Sequence, residues 1–231
     1  MVSAEKRRVC AVILAAGSSL RFGEGNEKIK AKICGKSVLT HTVAAFEQAE
    51  SISSIIVVAR ECDIEFARCE LWQFKKVEKI IAGGACRAES AKIGALIADA
   101  ELVAIHDAAR CLITPKMINA VVEAAIINGA ATLASAVYDT VKRVDPEQKI
   151  VETVPREQLV LATTPQVFLL RTYLDALNKS EALETVTDDN LLLEKAGVRV
   201  LAVVTDEPNL KITTKEDLKY CEFILGEREK T

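Results

Sequence analysis

A loop of small residues follows the first strongly apolar run of the chain, and two cationic side chains follow the loop. The run Val9–Ala16 ends at Gly17, and Arg21 and Lys28 come next, seven residues apart. Small residues directly after a strand let backbone N–H groups approach a phosphate closely, and the two cations supply charge to its oxygens. Ala15 stands where a dinucleotide-binding motif needs its first glycine, and no Gly-Lys-Ser/Thr follows as in a Walker A loop. The structural alternative is an ordinary turn followed by a solvated basic loop.

Two later strand ends carry residues of the kind that a nucleotide site uses. Gly83 and Gly84 follow a strand-like segment, where backbone groups and the Ser90 hydroxyl are suited to hydrogen-bonding a pyrimidine edge. The structural alternative for these glycines is a tight turn before a helix. Asp107 follows the apolar run Leu102–Ile105. A carboxylate there is suited to the Mg²⁺ of a triphosphate, because Mg²⁺ takes one or two carboxylates plus phosphate oxygens.

Two further cations and a histidine complete the candidate set. Arg110 is interpreted as a ligand of a substrate phosphate, with a surface ion pair as the alternative. Lys211 ends a short strand-like run before Thr213 and Thr214 and is interpreted as a second phosphate ligand. His106 is interpreted as a structural histidine whose hydrogen bonds are satisfied within the fold.

The composition excludes other kinds of chemistry and partner. The chain has 231 residues with only two histidines, so a three-histidine metal site is impossible. Thirty lysines and arginines stand against 33 aspartates and glutamates, a balance that argues against nucleic acid as a partner. Seven cysteines without a C-x-x-C pair indicate reduced, mostly buried thiols. No apolar run approaches the ~18 residues of a membrane span, and no secretory signal is recognised, so we expect a cytoplasmic protein with no membrane partner.

These residues must be positioned by alternating strands and helices. Solid apolar runs of strand length are typical of a parallel sheet that is covered on both faces. They cover Val9–Ala16, Ile55–Ala59, Lys79–Ala82, Leu102–Ile105, Ala131–Val137 and Arg199–Val204. Amphipathic segments predict helices over Ser37–Gln48, Cys86–Ala98, Pro115–Asn128, Phe168–Asn178, Asp188–Ala196 and Thr214–Leu225. The pattern predicts an α/β fold with one Rossmann-like, doubly wound, mostly parallel sheet and ligands beyond the carboxyl ends of its strands.

One segment interrupts this alternation. Residues 138–161 mix charges, two prolines and short β-like pieces, so we expect a β-arm that projects from the core. No internal repeat or linker indicates a second domain, and residues 1–231 are therefore predicted to form a single domain.

The motifs together resemble a known family. The pattern L-A-A-G-x-x-x-R-x-G at residues 14–23, the lysine seven residues after its arginine, and G-K-S-V-L at residues 35–39 resemble the nucleotide-sugar-type nucleotidyltransferases. Within that group the chain is most similar to the 2-C-methyl-D-erythritol 4-phosphate cytidylyltransferases. The match continues in order through Gly83–Ser90, His106–Arg110, Asp139–Lys142, Thr164–Phe168, Thr187–Asp189 and Asn209–Leu218. Each motif alone is weak, but together they span nearly the whole chain.

The resemblance implies a reaction of non-mevalonate isoprenoid biosynthesis. CMP passes from CTP to 2-C-methyl-D-erythritol 4-phosphate, pyrophosphate leaves, and Mg²⁺ or another divalent cation assists. It also implies a homodimer in which the arm acts in dimerisation and completes the partner's site. The implied catalytic residues are Arg21, Lys28, Arg156 and Lys211; the nucleotide-binding residues are Ala15, Ala16, Gly17, Gly83, Gly84 and Ser90; the substrate-binding residues are Asp107, Arg110, Thr140 and Thr187, with Asp107 also as the metal ligand.

Departures from the family pattern leave alternatives open. Beside Lys28, Glu27 stands where the family has a proline and Ile29 where it has a glutamine. Cys111 replaces the proline that follows H-D-A-A-R, and Ile93 replaces an asparagine after the serine loop. Lys30 and Lys32 compete with Lys28 for the catalytic role. A ribitol-5-phosphate cytidylyltransferase and a catalytically silent nucleotide-binding homologue are the rival functions. A dinucleotide-dependent oxidoreductase is disfavoured because Ala15 replaces the required glycine.

Overall fold

The computed structural model describes residues 7–17, 28–180 and 182–230. The strands are β1 (Val9–Ala15), β2 (Lys32–Ile33), β3 (Lys36–Ser37), β4 (Ser54–Ala59), β5 (Val77–Ala82), β6 (Leu102–Asp107), β7 (Ala130–Ala136), β8 (Val141–Val144), β9 (Ile150–Val154), β10 (Val160–Leu169) and β11 (Leu201–Thr205). The helices are α1 (Val38–Gln48), α2 (Ile64–Leu71), α3 (Arg87–Leu96), α4 (Pro115–Asn128), α5 (Leu170–Lys179), α6 (Asp189–Lys195) and α7 (Lys215–Arg228). Seven strands form the main sheet in the order β11-β7-β10-β6-β1-β4-β5.

Both faces of this sheet are buried, as the unbroken apolar runs predict. Along β1, Val9, Ala11 and Ile13 lie in one core with residues of α1, α2 and α4, whereas Cys10 and Val12 lie in a second core with residues of α3, α5 and α6. Alternate side chains of a strand point to opposite faces, so a strand covered on both sides must be apolar throughout. β1 pairs in parallel with β4 and β6, and the predicted doubly wound, mostly parallel α/β sheet is confirmed.

Strand β10 is a part of the sheet that the sequence pattern does not predict. It runs antiparallel between β6 and β7, and it includes Phe168, where the pattern predicts the start of a helix. Pro165 lies inside β10, and proline lacks the N–H that a strand with two neighbours donates. The register against β7 shifts between Ala162 and Gln166, and this irregularity accommodates the proline. Helix α5 begins only after the strand has ended, at Leu170.

A hairpin of β8 and β9 forms where the arm is predicted. The two strands pair antiparallel as a separate two-stranded sheet, and most of their residues are exposed. Ile150 is 64% exposed and Val151 is 58% exposed. Large apolar side chains are therefore displayed on the hairpin rather than contributed to either core.

The cysteines are free thiols, as predicted, but the expectation that most are buried is wrong. Cys10, Cys111 and Cys221 are buried, whereas Cys62 and Cys69 are exposed and the other two are half-buried. The exposed pair lies at and within α2, a short surface helix that the sequence pattern does not predict. Over the described ranges, no helix combines the length and the apolar character that crossing a membrane requires.

Candidate active site

The predicted nucleotide loop begins beside the strand that carries Asp107. Leu14 of β1 pairs with Asp107 of β6, so both strands end at the same edge of the sheet. Ala15, the last residue of β1, is buried, and Ala16 and the exposed Gly17 follow it. The first glycine loop and the carboxylate are thereby brought together by strand pairing alone.

Gly83 packs the second glycine loop against the first. A methyl group built on Gly83 would lie 2.6 Å from the Ala16 Cβ and 2.7 Å from the Ser90 Oγ, so the close approach requires glycine. The buried Ser90 hydroxyl donates to the Cys86 carbonyl at 3.0 Å and accepts from the Gly84 N–H at 3.1 Å. Ser90 therefore shapes this loop from beneath, and its direct contact with a base stays a prediction.

Asp107 is the centre of a cluster of cations at the end of β6. Its Oδ1 accepts a hydrogen bond from Arg87 Nε at 3.0 Å. Its Oδ2 lies 2.8 Å from Lys211 Nζ and 3.6 Å from Arg110 Nε. Burial alone would raise the pKa of Asp107, but the three neighbouring cations outweigh burial and hold the pKa well below its usual range. Asp107 is therefore ionised and holds three cationic side chains together.

Arg110 and Lys211 come from two segments that are hydrogen-bonded to each other. The Ile212 N–H donates to the Ala109 carbonyl at 2.9 Å, and Arg110 NH1 donates to the Asn209 carbonyl at 2.9 Å. Within the described residues, the buried Arg110 Nε finds no hydrogen-bond acceptor. The Asp107 Oδ2 lies 3.6 Å away, just beyond hydrogen-bond distance, so this N–H is close to a carboxylate without being bonded to it. A ligand oxygen beside Arg110 would give this N–H a hydrogen bond.

Arg87 and Asp189 belong to this site although the predicted set omits them. Besides Asp107, Arg87 contacts the buried Asp189 with 2.7 Å between its NH1 and the carboxylate Oδ2. The other oxygen of Asp189 accepts a hydrogen bond of 2.5 Å from the buried Tyr173 hydroxyl. Arg87 thus links α3, β6 and α6. The motif G-G-x-x-R-x-x-S contains Arg87 and T-D-D contains Asp189, whereas no sequence pattern indicates Tyr173.

The ion-paired groups of the cluster carry a net positive charge. The cations Arg87, Arg110 and Lys211 face the carboxylates Asp107 and Asp189, so one positive charge is not compensated within the set. Such a cluster at the carboxyl edge of a parallel sheet is suited to an anionic ligand.

His106 is a structural histidine, as predicted. It is fully buried, with its Nδ1 3.0 Å from the Thr164 hydroxyl, its Nε2 3.3 Å from the Arg110 carbonyl and its ring 4.9 Å from that of Phe46. Burial lowers the pKa of His106 to about 3, so the ring is neutral at physiological pH. A ring with so low a pKa is not an imidazolium acid near neutrality, nor does it readily accept a proton from a substrate.

The structure separates the three lysines that compete for the catalytic role. Lys30 Nζ lies 2.9 Å from a carboxylate oxygen of the fully buried Asp63, so this ammonium forms an ion pair with another residue of the fold. Lys32 is exposed at the start of β2, and Lys28 is half-buried in the turn before it. The choice between Lys28 and Lys32 stays a prediction, and the predicted partner of Lys28, Arg21, lies outside the described residues.

The other predicted residues lie at the rim of the site or on the arm. Thr187 is exposed, two residues before Asp189. Thr140 is exposed directly before β8, and the exposed Arg156 follows β9 and donates a hydrogen bond to the Tyr138 carbonyl. Neither arm residue is among the side chains that pair with Asp107 in the described part of this chain.

The described residues do not fit a metal site built by the protein. Among them, no three histidine, cysteine, aspartate or glutamate side chains are grouped so as to hold an ion. Asp107, the predicted ligand, has both oxygens in ion pairs, and Arg87, Arg110 and Lys211 would repel a divalent cation there.

The chain is similar to proteins of one family along almost its whole length. A family model described as 2-C-methyl-D-erythritol 4-phosphate cytidylyltransferase matches residues 9–227. The relative of that name from Halalkalibacterium halodurans is 42% identical over 224 residues, covering 95% of this chain and 97% of the relative. The relative of the same name from Alkaliphilus metalliredigens is 37% identical over 228 residues, and the match covers 96% of this chain and 95% of the relative.

A solved structure shows that the likeness extends to the fold. The crystal structure of 4-diphosphocytidyl-2C-methyl-D-erythritol synthase from Anaerococcus prevotii superposes with a TM-score of 0.85. The two chains are 28% identical, and the match covers 96% of this chain and 100% of the other.

Proposed function

The chain belongs to the 2-C-methyl-D-erythritol 4-phosphate cytidylyltransferase family, and from this premise we propose that the residues around Asp107 form its active site. The chain is a nucleotidyltransferase of isoprenoid biosynthesis that transfers CMP from CTP to 2-C-methyl-D-erythritol 4-phosphate and releases pyrophosphate. The observation that carries the assignment of the site is the convergence of Arg87, Arg110 and Lys211 on Asp107 at the carboxyl edge of the sheet.

The acceptor brings its own ionised nucleophile. The second pKa of a phosphate monoester is about 6, so the group is largely a dianion at neutral pH and needs no general base. A neutral, buried His106 agrees with such chemistry. The barrier arises because a dianion must approach an α-phosphate that is already negative. Cations held in place before the reaction stabilise the charge that develops in the transition state.

Cations from separate segments are assigned to the two phosphates that react. We assign Arg21 and Lys28 to the α-phosphate and the leaving pyrophosphate. Lys211 and Arg156 orient the attacking phosphate, and Arg110 binds it through the buried N–H that finds no acceptor among the described residues.

The nucleotide lies across the two glycine loops. Backbone N–H groups of residues 15–17 follow the end of β1 and are suited to the triphosphate. The loop of Gly83 and Gly84, with Ser90 beneath it, is assigned to the cytosine. Thr140 and Thr187 are assigned to the acceptor, at the outer edge of the site.

A divalent cation, Mg²⁺ or another, remains part of the proposed reaction as a counter-charge that arrives with CTP. Asp107 is less well supported as a ligand of this cation than as a partner of the cationic side chains, because both of its carboxylate oxygens already contact such side chains. The better supported role of Asp107 is to hold Arg87, Arg110 and Lys211.

The proposed reaction takes place between small molecules in a reducing compartment. CTP and a polyol phosphate are its small-molecule partners, and neither nucleic acid nor a membrane takes part. The seven free thiols agree with a reducing compartment such as the cytoplasm.

A homodimer completes the proposed site. Arg156 and Thr140 lie on the arm, and the arm also displays Tyr138, Ile150 and Val151 with exposures of 69%, 64% and 58%. Ile150 also lies opposite the exposed Val144 across the hairpin, and large apolar side chains exposed together on one element indicate a surface for another protein. We propose that the arm packs against a second copy and delivers Arg156 to its site.

Mixing two inactive variants tests this exchange of arms. Arg156→Ala and Lys211→Ala are each expected to lose most turnover, whereas an equimolar mixture refolded together recovers about one quarter of wild-type turnover, because half of the dimers then contain one intact site. Pyrophosphate release measures the recovery, and each variant refolded alone is the control. A mixture that stays as inactive as its components contradicts the delivery of Arg156 across the dimer.

The acceptor is tested by comparing polyol phosphates. With CTP present, 2-C-methyl-D-erythritol 4-phosphate is expected to give the higher kcat/KM for pyrophosphate release, and ribitol 5-phosphate the lower one. A higher value for ribitol 5-phosphate would favour the rival cytidylyltransferase. CTP binding without pyrophosphate release from either acceptor would favour a silent nucleotide-binding homologue.

A further inference from the structure

A buried carboxylate lies beside the segment that carries Lys28. The Asp63 side chain is fully buried, with its Oδ1 2.9 Å from Lys30 Nζ and its Oδ2 2.5 Å from Arg60 Nε. Burial alone would raise the pKa of Asp63, but the hydrogen bond from Arg60 and the ion pair with Lys30 outweigh burial and hold the pKa below its ordinary value. Asp63 is therefore an ionised group that joins two cations from separate segments.

The carboxylate of Asp63 does not serve the helix that it precedes. Asp63 occupies the N-cap position of α2, where an aspartate ordinarily accepts a hydrogen bond from a backbone N–H of the first turn. Here its side chain makes no such bond. Asp63 is helical itself and continues the 3-10 turn Glu61–Asp63, in which the Ile64 N–H donates to the Glu61 carbonyl. The Asp63 carboxylate is therefore not needed as a cap and contacts Arg60 and Lys30 instead.

The segment after Lys28 is fixed at three successive residues. Ile29 is buried in the larger core, and its carbonyl accepts from the Leu39 N–H at 3.1 Å. Lys30 Nζ lies between Asp63 and the Phe66 ring, 5.4 Å from the ring centre. The carbonyl of the next residue, Ala31, accepts a backbone hydrogen bond of 2.9 Å from the start of α1. Ile29 and Ala31 are held by backbone hydrogen bonds, whereas Lys30 is held by an ion pair with a buried carboxylate.

We infer that Asp63 is a positioning residue, which through Lys30 fixes the segment from which Lys28 acts on the anionic substrates. The inference rests on the catalytic role proposed above for Lys28. A cation stabilises a transition state only if it is held in place beforehand, and a displacement of about 1 Å can cost about 10²-fold in rate. An ion pair two residues from Lys28 limits such displacement.

Lys30→Met is the variant that tests this inference. Methionine keeps the apolar stem beside Phe66 and removes the ammonium, so kcat is expected to fall about 10-fold or more with a smaller change in the KM for CTP. Lys30→Arg keeps the charge and is expected to restore most of the turnover. Asp63→Asn is the more direct change, but it leaves Lys30 and Arg60 without their buried counter-charge and lowers stability, so Lys30→Met carries the test.

Asn119→Ala is the matched control for a loss of stability. The Asn119 side chain accepts hydrogen bonds of 3.1 and 2.7 Å from the N–H and hydroxyl of Ser51, which precedes β4 and therefore lies at the opposite edge of the sheet from the site. This variant is expected to lower the melting temperature and to leave kcat unchanged. Circular dichroism confirms that each variant is folded at the assay temperature.

A double-mutant cycle separates positioning from general damage. In a Lys28→Ala background, Lys30→Met is expected to cause no further loss of kcat, because the anchor acts only through Lys28. The same fold-loss in both backgrounds overturns the inference, as does normal turnover of Lys30→Met when Lys28→Ala is impaired. Normal turnover of Lys28→Ala overturns the assignment of Lys28 itself, and the inference with it.

Discussion

Replacing Lys28 with alanine is expected to lower kcat by about 10²–10³-fold, the usual effect of removing one preorganised transition-state donor. CTP binding is expected to persist, because the glycine loops and Arg21, the other cation that is assigned to the nucleotide, remain. Pyrophosphate release at saturating substrates measures the first effect, and calorimetric titration with CTP measures the second. The loss then falls on the transition state rather than on ground-state binding.

Lys32→Ala provides the matched control, since it removes an exposed ammonium from the same segment. Its turnover is expected to stay close to that of the wild type. Near-normal turnover of Lys28→Ala would contradict the assignment of this lysine. An equal loss in Lys32→Ala would show that the rate responds to the charge of the segment as a whole.

Asp107→Asn is expected to damage both stability and turnover. Asparagine keeps the size of the side chain but leaves Lys211 and Arg110 without the carboxylate that holds them. Breaking a buried ion pair by removing one partner costs about 3 kcal/mol or more in the free energy of unfolding. Because the two cations are then no longer held, we also expect kcat to fall about 10²-fold. Chemical denaturation and pyrophosphate release measure the two effects.

The stability effect of Asp107→Asn is expected to depend on pH. The pKa of Asp107 is lower in the folded state than in the unfolded state, so its ionised form stabilises the fold above the ordinary carboxyl pKa of about 4. That contribution is lost as the pH falls below this value towards the lower, folded-state pKa. The difference between wild type and variant is therefore largest near neutrality and narrows in acid.

Asp99→Asn is the matched control, because it breaks the exposed ion pair with Arg8 at the opposite edge of the sheet. This variant is expected to keep wild-type turnover and an unfolding curve close to that of the wild type. If Asp107→Asn behaves in the same way, Asp107 does not organise the cluster.

Much of the fold follows from local patterns in the sequence. The run at β1 is apolar at every position because both of its sides are buried, and its length predicts the strand to within one residue. β10 could not be found in this way. Pro165 argues against a strand with two neighbours, and only the register shift against β7 makes the proline acceptable there.

The members of the site could be predicted better than its contacts. Asp107, Arg110 and Lys211 stand at motif positions and are recognised by residue type. That Lys30 is committed to a buried carboxylate cannot be inferred from the spacing of three nearby lysines, because its partner Asp63 belongs to another segment.

The sequence by itself determined where β4 and β5 end and where the glycine loops follow, because each depends on residue types that are close together in the chain. The class of reaction followed from the resemblance of its motifs to a known family. Only the tertiary structure decided which charges meet. Lys211 and Asp107 are 104 positions apart and Arg87 and Asp189 are 102 apart, yet both pairs are in contact. Strand pairing brings Asp107 to the carboxyl edge, and helix packing brings Asp189 beneath Arg87. The burial of the two carboxylates then strengthens their attraction to the cations, because water screens a buried charge less.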